Sequence, residues 1–327
     1  MTDGNTAHLR GDDAVLSVRN LNVTFRVPGG TVQAVSGVSF DILRGETLAI
    51  VGESGCGKTT LGKALLQLPP PDSGAVVLNG TDLTRLSGEA LRTARTSIQM
   101  VFQDPISSLD PRMTVRQLVA EPLWVWNRGD EIAREARVRE LLNAVGLEPD
   151  LVLDRRSYEF SGGQCQRISI ARSVALEPAV LICDEPVSAL DVSIQAQILN
   201  LLQDMKERHG LTMVFISHDL AVVRAVSTRI MVMYLGKICE IGDPEAIYAR
   251  PAHHYTSALI SSVPIPDPTR RTGRTPLRGE PPSPLNPPSG CRFRTRCPAA
   301  SDRCAAEEPP LREVSPDQFV ACHHPRA

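Results

Sequence analysis

Between residues 14 and 250 the chain alternates short apolar or β-branched runs with longer amphipathic stretches. Residues 48–51, 75–78, 98–102, 180–183 and 212–216 form such runs, a pattern that suits strands covered on both faces. Residues 58–68, 131–145, 163–176 and 192–208 read as helices. In the second of these, Ile132, Val138, Leu141, Leu142 and Val145 form the expected apolar stripe. This alternation predicts an α/β sheet with helical cover. Leu235-Gly236, between apolar runs at 229–234 and 237–241, predicts a hairpin.

Two stretches break the pattern. Residues 86–153 are mostly helical in pattern, hold both tryptophans, Trp124 and Trp126, and read as a helical insertion with that pair in its local core. Beyond Pro251 the texture changes, because 15 of the 26 prolines lie in the last 77 residues. Prolines 264, 266, 268, 276, 281, 282, 284, 287 and 288 disfavour helix and central strand, which predicts extended linker laid over a surface.

Composition narrows the class. With 327 residues, 42% hydrophobic and 22% charged, the chain is globular and long enough for about two domains. Its net charge of -2 does not advertise nucleic acid or anionic lipid. No apolar run approaches the ~18 residues that a membrane span needs. The polar start, residues 1–13, lacks the apolar region of a signal peptide, so a cytosolic chain is expected. Work at a membrane would need other subunits to supply the spans.

Gly52-Glu53-Ser54-Gly55-Cys56-Gly57-Lys58-Thr59 fits G-x-x-x-x-G-K-[ST], after a strand and opening a helix. Glycines let backbone N–H groups turn inward around phosphate oxygens, and the helix N-terminus adds partial positive charge. Lys58 is expected at the β- and γ-phosphates and the Thr59 hydroxyl at the Mg²⁺, with Thr60 also lining the nucleotide. The apolar run Val180-Leu181-Ile182-Cys183 ends in Asp184-Glu185. Asp184 is expected beside the Mg²⁺ and Glu185 at the attacking water, a general-base role.

Phe160-Ser161-Gly162-Gly163-Gln164 precedes the next helix. With this S-G-G-Q signature the chain resembles the ATPase subunits of ABC transporters. That resemblance implies a P-loop NTPase with a RecA-like core, an antiparallel β subdomain and a helical subdomain at about 86–165. It places Gln103 in the Q-loop, at the metal and the attacking water. Ser188-Ala189-Leu190-Asp191 becomes the D-loop, His218 the switch histidine and Phe25 the ring stacked on adenine. Ser161, Gly162, Gly163 and Gln164 would face the nucleotide of a second subunit, so ATP would join two subunits and hydrolysis would release them. Cys165, Cys183, the run Gln103-Asp104-Pro105, Ser108-Leu109-Asp110-Pro111 and the start of the tail, residues 263–268, are similar to the second ATPase of oligopeptide/dipeptide importers. Ser157-Tyr158 stands where relatives often have Pro-His. The implied partners are a paralogous ATPase, two transmembrane permeases whose coupling helix would meet the insertion, and an extracytoplasmic peptide-binding protein. The implied domains are an ATPase at 14–250 and a Cys-rich C-terminal extension at 251–327.

Cys291, Cys297, Cys304 and Cys322 are separated by five, six and seventeen residues. Four thiolates can hold Zn²⁺ or a [4Fe–4S] cluster, and these intervals miss the usual zinc knuckle. The resemblance ranks the cluster first, zinc second and free thiols third. A metal staple would stand in for a core in a tail with few aromatics. His323 and His324 read as solvated, and Cys56, Cys165, Cys183 and Cys239 as structural. Two other functions stay open at this point: a soluble ABC ATPase acting on DNA or ribosomes, and a redox-sensing Fe–S ATPase. The first usually carries a coiled-coil insertion or two ATPase units, and neither is present here.

Overall fold

The computed structural model describes residues 7–11, 13–188, 190–262 and 279–326. The linker expectation at prolines 264 to 276, and Ala189 of the D-loop, lie outside the described residues. The chain divides into two compact units, one joining Met1–Arg85 to Ile216–Ala327, the other Leu86–Phe215.

The first unit contains two sets of strands. Ala14–Val27 and Gly30–Leu43 form a long antiparallel hairpin that closes between Val27 and Gly30. Ser73–Leu78 pairs with Ala14–Val27, and Thr81–Asp82 extends the edge. Leu16 and Val18, then Leu21 and Val23, are buried on a period of two, and the three-residue step between the pairs falls at a register shift where Asn20 takes φ 47°. In the second set Thr47–Val51 runs parallel to Arg229–Tyr234, with Leu48 opposite Arg229 and Val51 opposite Val232. Both strands are buried throughout. Arg229–Tyr234 turns at Leu235-Gly236 into Lys237–Gly242, the expected hairpin.

At the described prolines of the expected linker, 281, 282, 284, 287 and 288, neither helix nor strand forms, and the tail pairs into strands only further on. Gln318–Val320 pairs antiparallel with Lys237–Gly242, and Arg312–Ser315 pairs with Gln318–Val320. The turn between them places Asp317 at φ 58°, a left-handed conformation that Asp tolerates. Buried Glu240 fixes the junction. Its carboxylate accepts N–H bonds from Ala252 (2.9 Å), His253 (2.9 Å) and the Gln318 side chain (2.7 Å).

In the second unit Ile98–Val101 lies parallel to Val180–Asp184, and residues 212–215 lie on the other side of Val180–Asp184. The helices include Val115–Val125, Glu131–Ala144, Gly162–Val174 and Val192–His209. Val138, Leu141, Leu142 and Val145 are buried as the stripe predicts, but Ile132 is 82% exposed. At 3.6 residues per turn Ile132 sits ~130° from the centre of that stripe, so its inclusion was an error of periodicity. The tryptophan pair is not local core either. Trp124 is exposed, and Trp126 lies under the guanidinium of Arg92 at 4.8 Å.

Candidate functional site

The buried strand Thr47–Val51 delivers the chain into the loop 52–57, and helix Lys58–Leu65 leaves it. Glycine is required at two points. Gly52 has φ 155° and a Cβ there would lie 2.2 Å from the Met233 carbonyl; Gly57 has φ 104° and a Cβ would lie 2.0 Å from the Ala34 carbonyl. Only glycine lets the loop seat this tightly. Gly236 N–H donates to the Cys56 carbonyl at 2.8 Å, anchoring the loop from below. Lys58 is 5% exposed, and its Nζ donates to the carbonyls of Gly52 (2.8 Å) and Glu53 (3.1 Å). The first turn of the helix carries no acidic residue. The N–H groups at this helix N-terminus and the buried ammonium make a cradle for anionic oxygens, so the loop fits a phosphate chain. Ser54 and Gly55 are exposed, Thr59 and Thr60 half-buried, and Cys56 is buried, its thiol pushed up by burial. Phe25, on the long hairpin, is 38% exposed.

The second unit holds the acidic pair. Asp184 ends a fully buried strand. Glu185 follows at φ 46°, a left-handed conformation costly for a residue with a Cβ. Gln103 Nε2 donates to Glu185 Oε2 at 3.0 Å, so two of the expected residues meet. The Ser188 N–H and Oγ donate to the Glu185 carbonyl at 3.2 and 3.1 Å. Ser161 caps helix Gly162–Val174: its Oγ accepts from Gln164 N–H (3.4 Å), and its own N–H donates to Gln164 Oε1 (3.0 Å). This reciprocal box closes the helix N-terminus at exposed Ser161, with Gly162 half-buried and Gly163 buried. A Cβ at Gly163 would lie 2.6 Å from Ile194 Cγ2, which explains glycine there. Asp191 stands, exposed, at the start of helix Val192–His209. His218, in the first unit, is exposed just before helix Leu220–Val226.

The tail supplies contacts that local sequence did not signal. Tyr255 Oη accepts the Glu53 N–H at 2.8 Å, and the Arg296 guanidinium forks onto the Glu53 carboxylate at 2.7 and 3.1 Å. These partners stand 202 and 243 residues from Glu53, so spacing could not reveal them.

The cysteine expectation is corrected. Cys291, Cys297, Cys304 and Cys322 influence one another electrostatically, yet among the described residues no group of three or more His, Cys, Asp or Glu is placed to hold a metal ion. Neither a [4Fe–4S] cluster nor Zn²⁺ is supported by this arrangement. Burial pushes the Cys291 and Cys322 thiols up to about 11, with a smaller contribution from the neighbouring tail cysteines. Cys322 packs with Ala252 and Val320, and Cys304 Sγ lies 3.6 Å from Ser301 Oγ. The tail also has the core it was expected to lack. Phe293 packs on Tyr234 and Tyr255, each at 5.3 Å between ring centroids, and Leu311 and Val320 are buried. His323 and His324 bond to the Glu307 carbonyl (3.1 Å) and Ser301 Oγ (2.7 Å). Cys56, Cys165, Cys183 and Cys239 are all buried, with Cys183 pushed up to about 12.

The family profile "ABC transporter" matches residues 35–188, which span the glycine loop, the signature and the acidic pair. Two solved structures share this fold. The dimeric post-hydrolysis cassette MJ0796 bound to ADP and Pi is 30% identical, covering 70% of this chain and 98% of that one at TM-score 0.65. cbiO1 of Clostridium perfringens, part of the transporter complex cbiONQ, is 32% identical, covering 73% and 92% at TM-score 0.65. The profile "Oligopeptide/dipeptide transporter, C-terminal region" matches residues 239–304. A Brucella ovis protein provisionally named a peptide import ATP-binding protein is 52% identical over 94% of this chain and 97% of its own. The oligopeptide transport ATP-binding protein AppF of Bacillus subtilis is 48% identical over 95% and 97%. The chain belongs to the family of ATP-binding subunits of ABC-type peptide transporters.

Proposed function

We propose that the chain binds and hydrolyses ATP to power peptide import through a membrane ABC transporter. The observation that carries this reading is the loop at 52–57, closed by glycines against two carbonyls and floored by buried Lys58. Gly52 to Thr60 hold the phosphates, and Phe25 stacks on the adenine. Thr59, Gln103 and Asp184 are the residues that would hold Mg²⁺, whose charge offsets that of the β- and γ-phosphates. Glu185 takes the proton of the attacking water. Its bond from Gln103 orients the carboxylate, and its carbonyl is tied by Ser188. His218 acts at the γ-phosphate. Ser161, Gly162, Gly163, Gln164 and Asp191 act on the nucleotide of a second, paralogous subunit, a reading supported by the helix N-terminus capped at exposed Ser161.

The motor occupies 14–250, with its helical part near 86–165, and the tail 251–327. Two permeases and, through them, a peptide-binding protein complete the machine. No helix among the described residues is long and apolar enough to cross a membrane, which suits a peripheral subunit at the cytoplasmic face. Exposed Ile106, Trp124 and Val125 in the helical part suit a docking permease helix. The tail cysteines carry no part of this reading.

Glu185→Gln tests it. The variant should bind ATP and accumulate as an ATP-dependent dimer on size-exclusion chromatography, while turnover falls ~100-fold or more. Undiminished hydrolysis overturns the role of Glu185.

A further inference from the structure

Glu53 is held at three polar points. Tyr255 Oη accepts its N–H, Lys58 Nζ donates to its carbonyl, and Arg296 forks onto its carboxylate. Two of these three partners come from beyond residue 251. Arg296 is itself buried, with Nη1 3.3 Å from Tyr234 Oη and its guanidinium over the Tyr234 ring at 5.8 Å. Tyr234, Tyr255 and Phe293 pack edge-on behind it, with the two tyrosine rings 4.7 Å apart.

A second arginine of the same segment grips the other side. Arg292 donates to the Leu235 carbonyl, to Gln33 Oε1 (2.6 Å) and to Ser36 Oγ (3.0 Å). Gln33 and Ser36 flank Ala34, whose carbonyl lies directly under Gly57. The short turn between the arginines is closed by Arg296 N–H donating to the Phe293 carbonyl at 3.0 Å. The tail segment 291–297 thus reaches the first variable position of the loop with one arm and the seat of its last glycine with the other.

From this geometry, and resting on the reading of the loop as the ATP site, we infer that Arg296 is a positioning residue for nucleotide binding, acting through Glu53, with Arg292 steadying the opposite end of the loop. A phosphate cradle binds tightly only if its N–H groups already converge; a loose loop must be ordered at the expense of affinity. Arg296 also neutralises a carboxylate that sits within an anion-binding loop. Without it, the Glu53 charge would repel phosphate.

Arg296→Gln in the full chain should weaken MgATP binding about tenfold, with kcat at saturating ATP within about twofold. Glu53→Gln added to it should recover a substantial part of the loss, because the unmasked charge is gone. A purely structural arginine would instead lower the melting temperature and leave the affinity of the folded protein unchanged. If Arg296→Gln does not fold, Arg296→Lys keeps the charge and loses the fork, and should weaken binding about threefold. Wild-type affinity in a folded Arg296→Gln or Arg296→Lys, or a double variant no tighter than Arg296→Gln alone, overturns the inference. Lys58→Ala keeps the two readings apart: if it binds MgATP as tightly as the wild type, the ATP-site reading itself fails.

Discussion

His253 sets a pH limit on the stability of the first unit. Its ring is fully buried at the start of helix His254–Ser261, where Nδ1 accepts the Tyr255 N–H at 3.0 Å. An accepting Nδ1 requires that nitrogen to be unprotonated, and burial pulls the group down from the usual 6.5 to about 3, with a smaller contribution from neighbouring His254. The sign follows from linkage. Because the folded state resists the proton, stability is full above 6.5 and falls as pH drops toward the folded value. Between about pH 7.5 and about pH 5 the unfolded chain gains one proton at this site that the folded chain refuses, a loss of about 2 kcal/mol. Nearby Glu240, raised by burial, shifts in the opposite sense, so total stability alone is not diagnostic. His253→Asn is, because an amide oxygen keeps the cap while removing the titration. Urea unfolding of both proteins at the two pH values should show the wild type losing about 2 kcal/mol more than the variant. Equal losses, within about 0.5 kcal/mol, would refute the reasoning.

Two glycines give further predictions. Gly57→Ala meets the Ala34 carbonyl at 2.0 Å in a left-handed conformation, so nucleotide binding should vanish and stability fall by ~3 kcal/mol or more, read by thermal melting with and without ATP. Gly163→Ala drives a methyl to 2.6 Å from Ile194 Cγ2 and should cost ~1–2 kcal/mol despite the better helix propensity of alanine. Adding Ile194→Ala should make the Gly163→Ala step less costly in a double-mutant cycle; additive losses would contradict the steric account.

The buried strands were the most legible part of the chain. The run at 180–183 became the fully buried Val180–Asp184, because an unbroken apolar run has few alternatives to burial, while the run at 98–102 became Ile98–Val101 with Gln99 half-buried and Phe102 exposed. Helix ends were less legible. The helix expected over 58–68 stops at Leu65, and Gln67 turns to φ 58°. The tail hairpin was hidden because each strand is only three or four residues long and its partner, Lys237–Gly242, is far away in the chain. At the site, local spacing was enough to pick out the glycine loop, the acidic pair and the signature as motifs. The bonds that Tyr255 and Arg296 make to Glu53 were not visible, since no motif joins positions so distant. The cysteine spacing invited a metal, but among the described residues no group of three or more ligands is placed to hold one.

The clamp on Glu53 also has a consequence for biosynthesis. Arg296 leaves the ribosome 243 residues after Glu53. A nascent chain can form the glycine loop early, but it cannot fork an arginine onto it until the tail has been made. The finished nucleotide pocket is therefore a late, post-assembly property. A premature stop between residues 250 and 296, though it spares every recognised ATPase motif, would remove the arginine that forks onto Glu53 and leave the loop unseated.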